Sequence, residues 1–107
     1  QDVDALFQLG RALATQLRFE EAIEAYRATL AVNPKQVFVW NNLATALREC
    51  ERLEEAEEAL RTALAMDPNL VALHTNLAMV LRGLDRAKES LAITRVTHCP
   101  QAPPRQR

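Results

Sequence analysis

The chain has 107 residues, of which 49% are hydrophobic and 25% are charged, and its formal net charge is −1 at pH 7. This length suits one domain. The mixed charges argue against nucleic-acid binding, which needs lysine and arginine concentrated on one face. No apolar run approaches the roughly 20 residues that cross a bilayer, and the chain does not start with a signal-like segment. We therefore expect a soluble protein that binds neither nucleic acid nor membranes.

The sequence nearly repeats itself every 34 residues, and a third copy starts at Val71 before it degenerates near the C-terminus. Such a period predicts a stacked array, in which each unit buries its apolar face against its neighbours. We place the units at 3–36, 37–70 and 71–100, and a linker or tail at 101–107. The identities that align the first two units include Leu9/Leu43, Ala12/Ala46, Leu13/Leu47, Arg18/Arg52, Glu21/Glu55, Ala22/Ala56, Leu30/Leu64 and Pro34/Pro68.

The first unit predicts two helices, near 3–16 and 20–33. Glu20 and Glu21 stand in the first turn of the second helix, where the helix dipole favours anions. The pair ends before Pro34, which lacks a backbone donor and biases the preceding residue away from helix. The apolar stripes that predict these helices consist of Leu6, Leu9 and Leu13 on the first helix, and of Ala22, Tyr26 and Leu30 on the second.

The second unit repeats this pattern near 37–50 and 54–66, and Pro68 follows it. In the third unit the same register places helices near 71–83 and 87–98, which brings the predicted total to six. Small residues occupy equivalent positions on the paired helices, so each pair can approach closely. These residues are Gly10 and Ala22, Ala44 and Ala56, and Ala78 and Ser90.

These residues resemble the tetratricopeptide repeat family, whose pattern is W-x2-L-G-x2-Y, then A-x3-F, then A and P. The third unit departs from the pattern at Ser90 and Thr94, and Pro100 arrives early. The resemblance implies an all-α, right-handed α-solenoid of three helix-turn-helix repeats. The matching residues are Leu6, Leu9, Gly10, Leu13, Ala22, Tyr26, Thr29 and Pro34 in the first unit, and Trp40, Leu43, Ala44, Leu47, Ala56, Leu60, Ala63 and Pro68 in the second.

The resemblance also implies that the first helix of each repeat lines a concave groove that binds another polypeptide. Helical periodicity independently places a set of residues opposite the apolar stripes, where they face solvent. The predicted groove consists of Phe7, Gln8 and Arg11 from the first unit, Asn41, Asn42, Thr45 and Arg48 from the second, and Thr75, Asn76, Met79 and Arg82 from the third.

Within the predicted groove, Gln8, Asn42 and Asn76 form a file of amides, one per repeat. A carboxamide carries donors and an acceptor together, so it can pair with the backbone of an extended peptide. Similar asparagine ladders occur in the repeats attached to protein O-linked N-acetylglucosamine transferases, where they hold substrate polypeptide. The alternative is that each amide hydrogen-bonds within its own repeat.

Co-chaperone members of the family capture a terminal carboxylate with five side chains. Asn42 matches one of them, whereas Phe7, Arg11, Ala72 and Asn76 stand in place of the others. We therefore do not predict that this chain binds a chaperone tail.

We predict no catalytic, cofactor or metal site. His74 stands on a packing stripe as a partly buried structural residue, and neither His98 nor a cysteine has metal-ligand spacing to it. Cys50 and Cys99 end helices at opposite edges of the array, which is too far apart for a disulfide. This fits a reducing compartment and favours the cytoplasm, although the sequence does not identify the compartment.

Three functions remain open. The first is a protein-interaction module that binds a polypeptide segment in the groove. The second is a substrate-recruiting or dimerising arm of a larger enzyme such as a glycosyltransferase, and the third is a structural spacer or self-assembly element. The missing initiator Met suggests a processed chain or a piece of a longer protein. The last helix lacks a polar cap, so we expect self-association through this end, or stacking on a further repeat.

Overall fold

The computed structural model describes the backbone of residues 3–98 and the side chains of residues 3–86. Every element in this part of the chain is a helix, which confirms the all-α prediction. The predicted tail at 101–107 lies outside the described residues. The helices are α1 (Val3–Thr15), α2 (Phe19–Val32), α3 (Val37–Glu49), α4 (Leu53–Met66) and α5 (Val71–His98).

A tight turn joins the two helices within each of the first two repeats. Leu17 and Glu51 adopt left-handed backbone conformations, with φ of 63° and 64°. The backbone N–H of Arg18 donates to the carbonyl of Leu13 at 2.9 Å, and the equivalent bond in the second repeat is also 2.9 Å long. This arrangement satisfies carbonyls at the helix end and reverses the chain direction. α1 therefore pairs with α2, and α3 pairs with α4, as the repeat predicts.

The third repeat does not form a helix pair. α5 runs without a break through Asp85, which is the position equivalent to Leu17 and Glu51, so the chain has five described helices and the prediction of six is not confirmed. The sequence offers a physical reason, because the residues that anchor α2 and α4 have smaller or more polar counterparts in this repeat. Less apolar area is therefore available to hold a second helix against the first. Phe19 and Leu53 correspond to Ala87, and Tyr26 and Leu60 correspond to Thr94.

The junctions between repeats share a hydrogen bond to a proline carbonyl. The indole N–H of Trp40 donates to the carbonyl of Pro34 at 2.7 Å. The ring Nε2 of His74 lies 2.6 Å from the carbonyl of Pro68. Because a carbonyl only accepts, this Nε2 carries the proton. His74 is exposed rather than partly buried as predicted, yet it ties the junction in the same way as Trp40.

Small residues allow the paired helices of the first two repeats to approach closely, as the sequence predicts. The third predicted pair does not form, because Ala78 and Ser90 lie on the same helix. Ala22, Ala44 and Ala56 are fully buried. Gly10 lies against the ring of Tyr26, and a Cβ added to this glycine would be 2.6 Å from the ring Cε1 atom. A side chain at this position would therefore collide with the second helix of the pair. The core extends through residues of α2, α3, α4 and the first half of α5, including Ile23, Leu30, Val39, Leu43, Leu47, Leu60, Leu73 and Val80.

Candidate functional site

The predicted groove residues lie on the helices that approach one another from repeat to repeat. α1 contacts α3, and α3 contacts α5, whereas no Cα pair joins α2 to α4 within 8 Å. The first helices therefore form the closer-packed layer of the described array, and the second helices form the more open one. All of the predicted groove residues project from the first-helix layer.

At the junction of the second and third repeats, Asn76 is buried, with 6% of its surface exposed. Its side-chain amide donates to the hydroxyl oxygen of Thr45 at 3.0 Å and to the side-chain oxygen of Asn41 at 3.1 Å. Its own side-chain oxygen accepts from the Arg48 guanidinium at 2.7 Å. The amide is thus saturated by side chains of the preceding repeat.

This bonding differs from both sequence-based interpretations of the amide file. The expectation that Asn76 faces open solvent is wrong, because its side chain is buried and fully engaged. The alternative placed its partners in its own repeat, but Asn41, Thr45 and Arg48 belong to the second repeat. A period of 34 residues marks Asn76 as equivalent to Asn42, but it does not reveal that the side chains around these two positions differ.

The junction of the first and second repeats has the same backbone arrangement but different side chains. Ala14 occupies the position of Arg48, and Arg11 occupies the position of Thr45. Within the described residues Asn42 therefore has no side-chain hydrogen bond, although it is half-buried. An open cavity of ≈ 220 Å³ lies beside Asn42. Its lining residues are Arg11, Ala14, Phe19, Tyr26, Asn42, Thr45 and Ala46.

Arg11 is the cationic group at this cavity. Its guanidinium carbon lies 5.8 Å from the ring centroid of Phe7, which is within the range of a cation–π contact. Phe7 in turn packs on Tyr26, with ring centroids 6.1 Å apart. Burial raises the pKa of the Tyr26 hydroxyl, and the nearby Arg11 charge opposes that rise only in part. The tyrosine is therefore neutral at physiological pH. The cavity combines an aromatic wall, a cation and an amide that has no side-chain hydrogen bond among residues 3–86.

The remaining predicted groove residues are more dispersed. Gln8, Thr75 and Arg82 are exposed. Their side chains make no hydrogen bond to Asn42 or Asn76 among the described residues. Met79 is 39% exposed and its sulfur lies 3.3 Å from an Arg48 guanidinium nitrogen. A second cavity of ≈ 370 Å³ lies beside Met79. This cavity could not be predicted from the sequence, because it is formed by the turn between α3 and α4 together with residues of α5. Its lining residues are Arg48, Glu51, Leu53, Met79, Gly83 and Arg86.

A chain of ion pairs crosses from the first repeat to the second near the helix turns. Arg52 contacts Glu55 at 2.6 Å and Glu20 of the first repeat at 2.8 Å. Arg27 reaches Glu55 from α2 at 3.3 Å. The hydrogen bonds from Arg52 hold the pKa of the Glu55 carboxyl below its ordinary value. These pairs link the more open second-helix layer, where the backbones do not touch.

The described residues do not offer a metal site or a reactive thiol. This part of the chain contains no group of three metal-ligating side chains. Burial raises the pKa of the half-buried Cys50 thiol, so it is protonated at neutral pH and a weak nucleophile. None of the described helices is both long enough and apolar enough to cross a bilayer.

The fold and this surface define a helical repeat protein whose first helices line one face. The chain belongs to the tetratricopeptide repeat family, because the family model described as Tetratricopeptide repeat matches residues 7–71. Repeats of this family generally mediate protein–protein interactions.

A search of the curated proteins finds no match to this chain. Among solved structures, a mutant of MamA is similar, with a TM-score of 0.74 and 24% sequence identity. The match covers 86% of this chain and 50% of the MamA chain, so the present chain spans about half the length of that protein. At this identity the likeness supports the fold alone.

Proposed function

We propose that the chain is a protein-interaction module that binds a polypeptide segment along the first-helix layer, at the cavity between the first two repeats. In this proposal the first helices form the concave side of a right-handed superhelix. Arg11 and Asn42 contact the bound segment, and Phe7 flanks them. Catalysis and a cofactor play no part in it.

The main support for this proposal is the environment of the Asn42 side-chain amide. Its equivalent, Asn76, has hydrogen-bond partners for both ends of its amide. Asn42 is half-buried beside an open cavity and has no such partner in the part of the chain whose side chains are described. A half-buried amide without protein partners can gain hydrogen bonds from a ligand at little cost in lost internal contacts. The backbone of an extended peptide supplies a matching donor and acceptor.

The surroundings of Asn42 indicate what kind of segment fits. Arg11 contributes a fixed positive charge that a carboxylate can approach. The apolar side chains of Ala14, Phe19 and Ala46 line the same cavity and can contact a small or medium apolar side chain. We therefore expect bound segments that place an acidic residue close to an apolar one. Asn76, by contrast, acts in this proposal as a link between repeats.

The proposal is tested by selecting binders from a library of short random peptides displayed on phage. The dissociation constants of selected peptides are then measured by fluorescence anisotropy for the original chain and for an Arg11→Ala/Asn42→Ala variant. We expect the variant to bind at least about tenfold more weakly, because a hydrogen bond to a charged group and an amide contact are both lost.

Arg61→Ala provides the matched control. Arg61 is an exposed arginine on α4, outside the first-helix layer, and it pairs with Glu57 of the same helix. Its removal changes the net charge as the loss of Arg11 does, but it should leave the affinity unchanged. Selection of no binders, or equal weakening by the Arg61→Ala change, would overturn the proposal.

A further inference from the structure

The first half of α5 has an exposed face at positions that are buried or half-buried in the earlier repeats. Ala78 is exposed, whereas Ala44 and Gly10 at the equivalent positions are buried. Leu81 is 40% exposed, whereas its equivalent Leu47 is 1% exposed. In the first two repeats the second helix of the pair covers this face, as the contact between Gly10 and Tyr26 illustrates. Because α5 does not turn back, the described part of the chain leaves the face open.

The second half of α5 continues past the helix on which the first half packs. A Cβ at Gly83 would lie 3.0 Å from the Cδ1 atom of Leu53, which is the first residue of α4. Residues that follow Gly83 therefore run beyond the start of α4. α5 has 28 residues and α4 has 14, so their lengths are about 42 Å and about 21 Å. A single short helix without a packing partner is only marginally stable in water.

Leucines continue from the exposed face into this second half at the spacing of a helix-pairing seam. Leu77, Leu84 and Leu91 are separated by seven residues, and Leu81 lies between the first two. Leu77 and Leu84 are half-buried, so each still offers apolar surface. A seven-residue repeat of apolar side chains keeps them on one side of a helix that packs against another helix.

We propose that this face binds a second copy of the chain, with the two α5 helices packed antiparallel around a two-fold axis near Leu84. In that arrangement the second half of each α5 covers the exposed face of the other. Leu77 of one copy then lies near Leu91 of its partner, and the two copies of Leu84 lie near each other. The contact is self-complementary, as a two-fold interface requires.

The paired helices within the first two repeats are also antiparallel. The α5 helix of a second copy therefore fits the exposed face of α5. α1 and α2 run antiparallel about the turn at Leu17, and α3 and α4 about the turn at Glu51. The equivalent centre on α5 is Asp85, next to the proposed axis. A second copy thus supplies an antiparallel helix where a folded-back second helix would otherwise lie.

Sedimentation equilibrium over a range of chain concentrations tests this proposal. We expect a dimer, and we expect Leu81→Glu to raise its dissociation constant more than about 100-fold, because two buried leucines are lost per dimer. Leu9→Glu is the control, since Leu9 is 50% exposed on α1, far along the chain from this face. A monomer at every concentration would overturn the proposal, as would a dimer that Leu9→Glu weakens and Leu81→Glu does not.

Disulfide trapping tests the antiparallel orientation even if Leu81→Glu impairs folding. Two chains are prepared with Cys50 and Cys99 replaced by serine, one carrying Leu77→Cys and the other Leu91→Cys. Mixing them under oxidising conditions should give a covalent dimer that contains one chain of each kind. Each chain alone should stay uncrosslinked, because 14 helical residues place its two cysteines about 21 Å apart along an antiparallel pair. Crosslinking of Leu77→Cys chains with one another would instead indicate a parallel pair and overturn the orientation.

Discussion

Arg48 donates a 2.7 Å hydrogen bond to the side-chain oxygen of Asn76, across the junction of the second and third repeats. The other end of the same amide donates to Thr45. The buried amide therefore links α3 to α5 through both of its polar ends. Its equivalent one repeat earlier, Asn42, makes no such link among the described residues.

This contrast predicts different costs for the same substitution at the two positions. Asn76→Ala removes a buried, fully bonded amide and leaves the polar groups of Arg48 and Thr45 without their partner. We expect the free energy of unfolding to fall by about 1–3 kcal/mol. Asn42→Ala should change it by less than about 0.5 kcal/mol, as for a side chain without specific contacts. Urea unfolding followed by circular dichroism measures both values, and equal losses would contradict the assignment of Asn76 as an inter-repeat link.

A second prediction concerns the close approach of Gly10 to Tyr26. Gly10→Ala would place a Cβ 2.6 Å from the tyrosine ring, which is 2% exposed and packed against Phe7. Overpacking costs about 1–3 kcal/mol, and the better helix propensity of alanine offsets up to about 1 kcal/mol. We expect a net loss of about 1 kcal/mol in urea unfolding.

The second repeat provides the control for this steric explanation. It has Ala44 and Leu60 where the first repeat has Gly10 and Tyr26, and both of these residues are fully buried. A Gly10→Ala/Tyr26→Leu variant should therefore recover stability relative to Gly10→Ala alone. If the double variant were less stable than the sum of the two single changes, the collision with the ring would not be the cause.

The helix pairs of the first two repeats could be predicted from the sequence, because the features that form them lie within each repeat. The helix pairs of the first two repeats follow from apolar spacing, small residues and the prolines at their ends. The continuous helix of the third repeat was not predicted. The 34-residue register is the same in all three units, and it does not show that apolar anchors are lost at positions such as Ala87 and Thr94.

The candidate site shows the same limit at the level of side chains. Periodicity placed Asn42 and Asn76 on one helix face, but their bonding depends on residues from a different repeat. Ala14 and Arg48 are aligned by the period, and the difference between them decides whether the next amide is bonded or open. Predicting such contacts requires knowing how two helices pack against each other. The spacing of residues along one helix does not give this information.

A third prediction follows from the left-handed residues in the helix turns. Leu17 has φ of 63° and is 74% exposed, so its side chain contributes little packing. A non-glycine residue in this conformation costs about 1–2 kcal/mol, whereas glycine adds about 0.5–1 kcal/mol of entropy loss on folding. We expect Leu17→Gly to raise the free energy of unfolding by about 0.5 kcal/mol or more. Gln16→Gly is the matched control, since Gln16 does not have positive φ, and it should not stabilise the chain.

The last prediction concerns the ion pairs that join the second helices. The hydrogen bonds from Arg52 lower the pKa of Glu55 from its ordinary value of 4.5. A carboxyl with a lowered pKa stabilises the folded chain above its unfolded-state pKa, and this contribution is lost as the pH falls through the folded-state value. Arg52→Gln should therefore destabilise the chain at pH 7 and make little difference at a pH well below 4.5.

Urea midpoints at the two pH values measure this dependence. Arg61→Gln is the comparison, because Arg61 pairs with Glu57 within α4 and does not join two repeats. Arg52 contacts carboxylates on both α2 and α4, so its loss should lower the midpoint at neutral pH more than the loss of Arg61. The difference should also shrink when salt is added, since these groups are exposed and screened. A loss that is the same at both pH values would instead point to lost packing of the arginine side chain, and the ion pairs would not be what connects the second helices.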